Sequence, residues 1–508
     1  MNAVPTARAE RRASALIRAG ALSMLALVAV GVTRLVHGSL TSRATDQATY
    51  GLVGIMLAAS MIASLLLPGG LSSGIAKFVA FHRGAGDVAG AWAAHRFLSR
   101  LGLASSVGLG VLSALLVGQL HQLDLLDAIS LALLTTTYSL YTLDKAAMYG
   151  HGLVAQYARI ELGTSLLAIG STVIVIITGQ SAYLLPLCLG YGSFAVLCRR
   201  QIRRHRRAEG VTEQGSFDRR QVLTFTILGS IGTLASAGFL QATQLLAGHF
   251  AAPAEVAFLA ATVALIAPLY FLPRAMALVL FPAMAGAHGS GDRSAVRQQV
   301  DASTRGLAVA MTPVFLVGLL AAPLILGLYG GSEYSDGANV LRLMLCASYF
   351  GILQVPSVNA LASGAPAQAR IPVLSAVVGC LAGLSVVIAT AGPLGAAGVA
   401  VGYLVGTAIT ALIPVVVVWR IHQLTWAGVL TRCVMLIGAG ALITELDPLR
   451  SWSWSAAGIT GVVLVVALVV LWGDLRRLLS LLRQGRTPLA DQDPDPQTGP
   501  PALKGVAP

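Results

Sequence analysis

Three arginines stand where an apolar chain tolerates them poorly. Arg274 interrupts the run "LYFLPRAMALVLFP" (269–282), directly after Pro273; Arg34 lies in "GVTRLVHG", and Arg43 follows just beyond it. An arginine at the centre of a membrane helix costs roughly 2.5–3.5 kcal/mol on insertion scales, so it calls for a partner or a hydrated cavity. A guanidinium presents planar donors that match phosphate oxygens. An anionic ligand in a hydrated cavity would therefore offset the burial of Arg274. The alternative is snorkelling, because Arg274 falls in the inner half of its run and could reach the head groups. Arg34 and Arg43 read either as anchors at the outer interface or as further anion contacts at a cavity mouth. Arg342, a few residues into its own run, reads as a snorkelling residue, and Lys77 as an ordinary inside-facing charge.

A second group could bind neutral polar ligands. Ser230, Thr233, Ala237, Gln241 and Gln244 recur every three or four residues and so share one helical face. Their hydroxyls and amides suit sugar hydroxyls along a water-filled path, or hydrogen bonds between helices. The run "TTTYSLYT" (135–142) is open to the same two readings.

What is missing narrows the chemistry. No Asp or Glu is expected deep within an apolar run: Asp124, Asp127, Glu255, Glu445 and Asp447 fall at outer ends, Asp144 and Glu161 near inner ends. A cation-coupled drug antiporter ordinarily needs a carboxylate within the membrane. No Gly-rich phosphate loop of the ATPase type occurs, and a lone "DLLD" (124–127) is a weak basis for a membrane glycosyltransferase. The five cysteines show no metal spacing and read as small buried apolar residues. The expectation is a non-enzyme without cofactor or metal; whether Na+ or H+ couples to it is left open.

These residues are carried by a chain of 508 residues, 56% hydrophobic and 11% charged, with mean hydropathy +0.77. Soluble domains carry about 25% charged residues, so this is the composition of a polytopic membrane protein. Apolar runs of about 20 residues predict about fourteen transmembrane helices, all α. Of the 34 Lys and Arg, only Arg43 and Arg450 fall in odd-numbered connections, and Arg34, Arg274 and Arg342 lie inside runs. The remainder gather on one side, which places both termini in the cytoplasm. The net charge of +13 and the tract "RRQIRRHRRAEG" thus mark an inside-facing loop near anionic lipid rather than a nucleic-acid partner. The basic N-terminal stretch reads as a retained lead-in to the first helix rather than a cleaved signal. The expected organisation is an amphipathic lead-in (1–19), a lobe of six spans (20–205), a basic linker (206–221), a second lobe of six spans (222–420), a last pair of spans (421–474) and a cytoplasmic tail (475–508) whose end is disordered.

The two lobes are related by an internal repeat. The shift that takes Pro68 to Pro273 also takes Gly84-x-Gly86-Asp87 to Gly289-x-Gly291-Asp292 and Arg100 to Arg305. Six spans per unit give both units one orientation, with the substrate path between them. Pro68 and Pro273 would bend the same helix of each lobe, either to shape the cavity or only to satisfy packing. Arg274 takes the place of Gly69, so the bend is shared and the charge is not.

The chain resembles the multidrug/oligosaccharidyl-lipid/polysaccharide (MOP) exporter superfamily, and most closely its polysaccharide-transport branch, the Wzx-type flippases. The resemblance covers nearly all of residues 15–475. It rests on the six-plus-six-plus-two plan, on "YGLVGIMLAASMIASLLLPGGLSSGIAKFVAFHRGAGD", on "LYFLPRAMALVLFPAMAGAHGSGD", on the region around "VLRLMLCASYFGILQVPSVNALASGAPAQARI" and on "AGPLGAAGVAVGYLVGTAIT". It implies a V-shaped, two-lobed flippase of the bacterial cytoplasmic membrane. Such a protein moves an undecaprenyl-pyrophosphate-linked oligosaccharide from the inner to the outer leaflet, with a glycan polymerase or glycosyltransferases as partners. Related lipid II flippases carry an arginine in the eighth span, which Arg274 matches, and arginines in and after the first, which Arg34 and Arg43 match loosely. A multidrug antiporter of the same fold and a lipid II flippase are the alternatives.

Overall fold

The computed structural model describes residues 4–210, 215–271, 292–446 and 453–476, with 273, 276, 277, 280, 281, 284, 287, 288, 449 and 451; side chains are described from Leu22 onward. Arg274, Gly289, Gly291, Asp447, Arg450 and the tail beyond 476 lie outside the described residues.

Among the described residues helices form where the apolar runs predict them, and no strand occurs. The first half holds α1 (Val4–Ala44), α2 (Gln47–Leu65), α3 (Leu67–Gly84), α4 (Val88–His121), α5 (Leu125–Gly150), α6 (Val154–Ile177) and α7 (Leu185–Ala208). The second holds α8 (Arg219–Phe250), α9 (Pro253–Ile266), a 3₁₀ turn (Ala267–Tyr270), α10 (Arg293–Leu320), α11 (Ala322–Gly330), α12 (Ala338–Leu353), α13 (Val355–Ser363) and α14 (Pro366–His422). The last pair is α15 (Ala427–Ile443) and α16 (Trp454–Val470).

Among the described residues nine segments are long and apolar enough to cross a membrane. Helix α14 holds two spans, because Gly395 leaves helical geometry at φ 55° and folds its halves against each other. The Glu255 carboxylate accepts the Ala396 N–H at 3.2 Å there, satisfying a free donor at the start of the second half. With α14 counted twice, and with the more polar α5 and α7 and the short α15 and α16, the chain reaches the fourteen spans expected.

The repeat has a physical content. Span two breaks between Leu65 and Leu67, with Pro68 in the first turn of the new helix, where a missing N–H costs nothing. Span eight passes through the 3₁₀ turn within one helical turn of Pro273, itself helical and buried. The two aspartates of the repeat are both N-caps: Asp87 accepts the Gly90 N–H at 2.7 Å and Asp292 the Ala295 N–H at 3.0 Å.

Helices α1–α7 pack on one another as the first lobe, and α8–α10 with α12–α14 as the second, to which α15 and α16 attach through α10. The lobes meet chiefly where α2 and α3 cross α8 and α9. One boundary differs from expectation. Helix α7 continues through the basic tract to Ala208, so the break between lobes begins at Glu209. This carboxylate holds Arg83 of α3 through both oxygens (2.7 and 2.9 Å) and accepts the Trp92 indole N–H at 2.8 Å, which ties the helical extension to the first lobe.

Candidate functional site

A cavity of about 540 Å³ lies between the lobes, walled by α1 and α2 on one side and by α8, α9 and α14 on the other. Its walls are mainly apolar, with an inlay of polar side chains. Arg34 enters from the first lobe; Gln241, Gln244, Gln354, Thr407 and Thr410 enter from the second. Tyrosines 50, 270, 329 and 403 add ring faces. No carboxylate lines this cavity among the described residues.

Arg34 is held on a tyrosine shelf. Its Nε donates to the Tyr191 hydroxyl at 2.8 Å, its Nη1 contacts the Met61 sulfur at 3.7 Å, and its guanidinium lies 4.9 Å from the Tyr138 ring centre. Cation–π contact of this kind offsets desolvation without neutralising the charge. Arg34 is thus a cavity residue, not an interface anchor.

Arg43 is placed differently. It is exposed and donates to the carbonyls of Leu328 at 2.5 Å and Tyr329 at 3.2 Å, where it closes the C-terminus of α11 as a cation should. Ser39 donates to the same Tyr329 carbonyl at 2.7 Å. The Tyr50 and Tyr329 hydroxyls share a hydrogen bond of 2.8 Å. This group joins the lobes at one end of the cavity, so Arg43 belongs to a closure and not to the lining.

The polar stripe of α8 is divided by depth. Gln241 and Gln244 are buried and face the cavity, and the Gln241 Oε1 has no hydrogen-bond partner among the described residues. Ser230 and Thr233 lie nearer the other end, against the glycines of α3. A Cβ on Gly70 would stand 2.2 Å from the Ser230 Oγ, and one on Gly69 would stand 3.3 Å from the Thr233 Oγ1. There the lobes close by direct approach of backbones, and Lys77 of α3 sits 4.0 Å from the ring centre of Phe225 of α8.

Two sequence expectations need correction. Arg342 does not snorkel: it is buried and donates to the Leu319 carbonyl at 3.3 Å, Asn339 Oδ1 at 2.8 Å and the Leu449 carbonyl at 2.8 Å. Glu161 is not at a span end. It lies two turns inside α6, 3% exposed, and accepts the Tyr141 hydroxyl at 3.1 Å. Lys145 and Arg34 supply the positive field around it. Its neighbours on the buried face, Tyr157, Thr164, Ser165, Ala168 and Thr172, follow helical spacing. That pattern was available in the sequence.

The chain matches no protein-family model, and no curated protein sequence matches it. Solved structures do. The lipid II flippase MurJ, in an inward closed conformation, aligns with TM-score 0.63 at 11% identity, covering 89% of this chain and 99% of that one. An inward-facing multidrug resistance MATE family transporter of the MOP superfamily aligns with TM-score 0.60 at 15% identity, covering 77% and 94%. A MOP superfamily transporter from Pyrococcus furiosus, described as having a binding pocket of reverse polarity, aligns with TM-score 0.55 at 16% identity, covering 80% and 95%. The fold is therefore that of the MOP-superfamily transporters, in a multi-pass membrane protein.

Proposed function

We propose that the protein is a flippase that carries an undecaprenyl-pyrophosphate-linked oligosaccharide across the bacterial cytoplasmic membrane by alternating access, with both termini in the cytoplasm. The observation that carries this reading is the cavity lining: a guanidinium on a tyrosine shelf, amides and hydroxyls opposite, and no carboxylate among the described residues. Such a lining favours an anion joined to a hydroxyl-rich neutral group. Arg34 would hold the pyrophosphate and Gln241 and Gln244 the sugar; Arg274 is a second cation on sequence grounds. The prenyl tail would stay in lipid, and a polymerase or glycosyltransferases would act before and after. The likeness to MurJ, itself a lipid II flippase, is compatible with this class of cargo.

The test is export of lipid-linked glycan at normal expression. Loss of the protein should leave the glycan on the cytoplasmic leaflet. Arg34→Ala should weaken cargo binding about tenfold or more, the worth of a charged hydrogen bond, and Arg274→Ala should do likewise. Unchanged glycan export together with lost efflux of cationic dyes would overturn the reading.

That outcome belongs to a second reading, a cation-coupled multidrug antiporter, which Glu161 favours. A buried carboxylate bonded to a tyrosine is a place where a proton or Na+ could be taken up.

A further inference from the structure

A second cavity, of about 390 Å³, lies outside the interlobe path, between α4 and α7 at the arginine-rich end of the first lobe. Arg96 and Arg100 reach it from α4; Arg199, Arg203 and Arg206 reach it from α7. One anion, Asp144, opposes them, and it is taken by Arg199 at 2.9 Å. Arg96, Arg100 and Arg203 make no hydrogen bond or ion pair among the described residues. His95 is 9% exposed at this cavity, and its Nδ1 has no partner among the described residues.

The internal repeat shows that this charge is not required by the fold. Its shift takes Arg100 to Arg305 and Arg96 to Asp301. In the second lobe Asp301 and Arg305 form an i,i+4 ion pair of 2.9 Å, and in the cavity these positions line, which α10 shares with α15 rather than with α14, Arg432 is paired with Asp474 at 2.7 Å. In the first lobe the same helical positions hold two like charges, an arrangement that is unfavourable on a helix unless an anion lies between them. The cavity wall also includes Leu103, 43% exposed one turn deeper on α4. The site thus joins a cationic basket to an apolar, membrane-facing strip.

We propose that this cavity is a seat for the phosphate of an anionic phospholipid, whose acyl chain runs along Leu103. Basic pockets between membrane helices have the right chemistry for such head groups. The seat is separate from the cargo cavity and does not depend on which cargo is carried.

Native mass spectrometry of the purified full chain tests it, with phosphatidylglycerol and phosphatidylcholine of identical acyl chains as probes. Phosphatidylglycerol should be retained preferentially, and Arg96→Asp should reduce its retention about tenfold while leaving phosphatidylcholine unchanged. Arg96→Asp copies the second lobe's Asp301–Arg305 pair, so its thermal stability without added lipid should be unchanged or higher. Arg203→Gln, on the other helix, should lower retention severalfold. Equal retention of the two lipids, or no effect of either variant, overturns the proposal. Displacement of phosphatidylglycerol by millimolar inorganic phosphate would also overturn it, as the sign of a free-anion site.

Discussion

The approach of α3 to α8 makes a sharp prediction about alternating access. A methyl group on Gly70 would come within 2.1 Å of the Thr226 carbonyl oxygen, 2.2 Å of the Ser230 Oγ and 2.8 Å of the Ser230 nitrogen. All three atoms belong to the other lobe. Gly70→Ala therefore meets the other lobe first, and penalises the state in which the lobes are closed at this end. Overpacking of this kind costs about 1–3 kcal/mol, a shift of about 5- to 150-fold toward the open state. The neighbouring glycine is the control. A methyl on Gly69 would meet the Thr233 Oγ1 at 3.3 Å and Ser64 oxygen at 3.4 Å, and Gly69→Ala should change the equilibrium little.

The assay is labelling of Ser236→Cys, a cavity residue, by a membrane-impermeant maleimide from the arginine-rich side. The background lacks Cys188, Cys198, Cys346, Cys380 and Cys433. The labelling rate should rise at least about fivefold in Gly70→Ala and stay within twofold of the parent in Gly69→Ala. A folded Gly70→Ala protein labelled at the parent rate would refute the view that this contact opens during the cycle.

At the opposite end, Tyr50→Phe removes the hydroxyl bond to Tyr329; a net loss of about 1 kcal/mol should raise labelling from the other side about fivefold. Glu161→Gln should abolish any pH or Na+ dependence of transport while the protein stays folded; dependence that persists would exclude Glu161 as the coupling group. Asp87→Ala removes an N-cap and should lower stability by about 1 kcal/mol in thermal unfolding. The Gly90 N–H and the His82 ring hold the Asp87 carboxyl below its ordinary range. The cap's contribution is therefore present at neutral pH and is lost as pH falls below about 4, and in Asp87→Ala that share of the acid sensitivity should be missing.

Hydrophobic run length and charge bias made the span plan legible, and the repeat made the shared break and the shared N-cap legible. What escaped was depth and facing. Arg34 and Arg43 looked alike in sequence, yet nine residues at about 100° each put them on opposite faces of one helix. One therefore meets Tyr191, and the other the end of α11. Ser230 and Gln241 do share a face of α8, but they are separated by about 16 Å of helix rise. The first faces the glycines of α3 and the second the cavity. Glu161 stands near the inner end of its apolar run, but α6 begins before that run, at Val154, and the added turn of helix makes a boundary charge a buried one.

The two lobes share what shapes helices and differ in what carries charge. Pro68 and Pro273 stand at matching positions, as do the N-caps Asp87 and Asp292, and these residues set bends and helix starts that any two-lobed cavity needs. By contrast Gly69 faces Arg274 across the repeat and Arg96 faces Asp301. Inside the cavity the described cation, Arg34, comes from the first lobe, while amides, threonines and most of the tyrosines come from the second. A symmetric lining would offer an amphipathic cargo no preferred orientation. An asymmetric one would hold a charged end against one wall and a neutral, hydroxyl-rich end against the other, and would keep that order through any rocking of the lobes. If the cargo has this polarity, exchanging the lining charge between walls, with Arg34→Gln combined with Gln241→Arg, should impair transport as severely as Arg34→Gln alone, although the net charge of the cavity is restored.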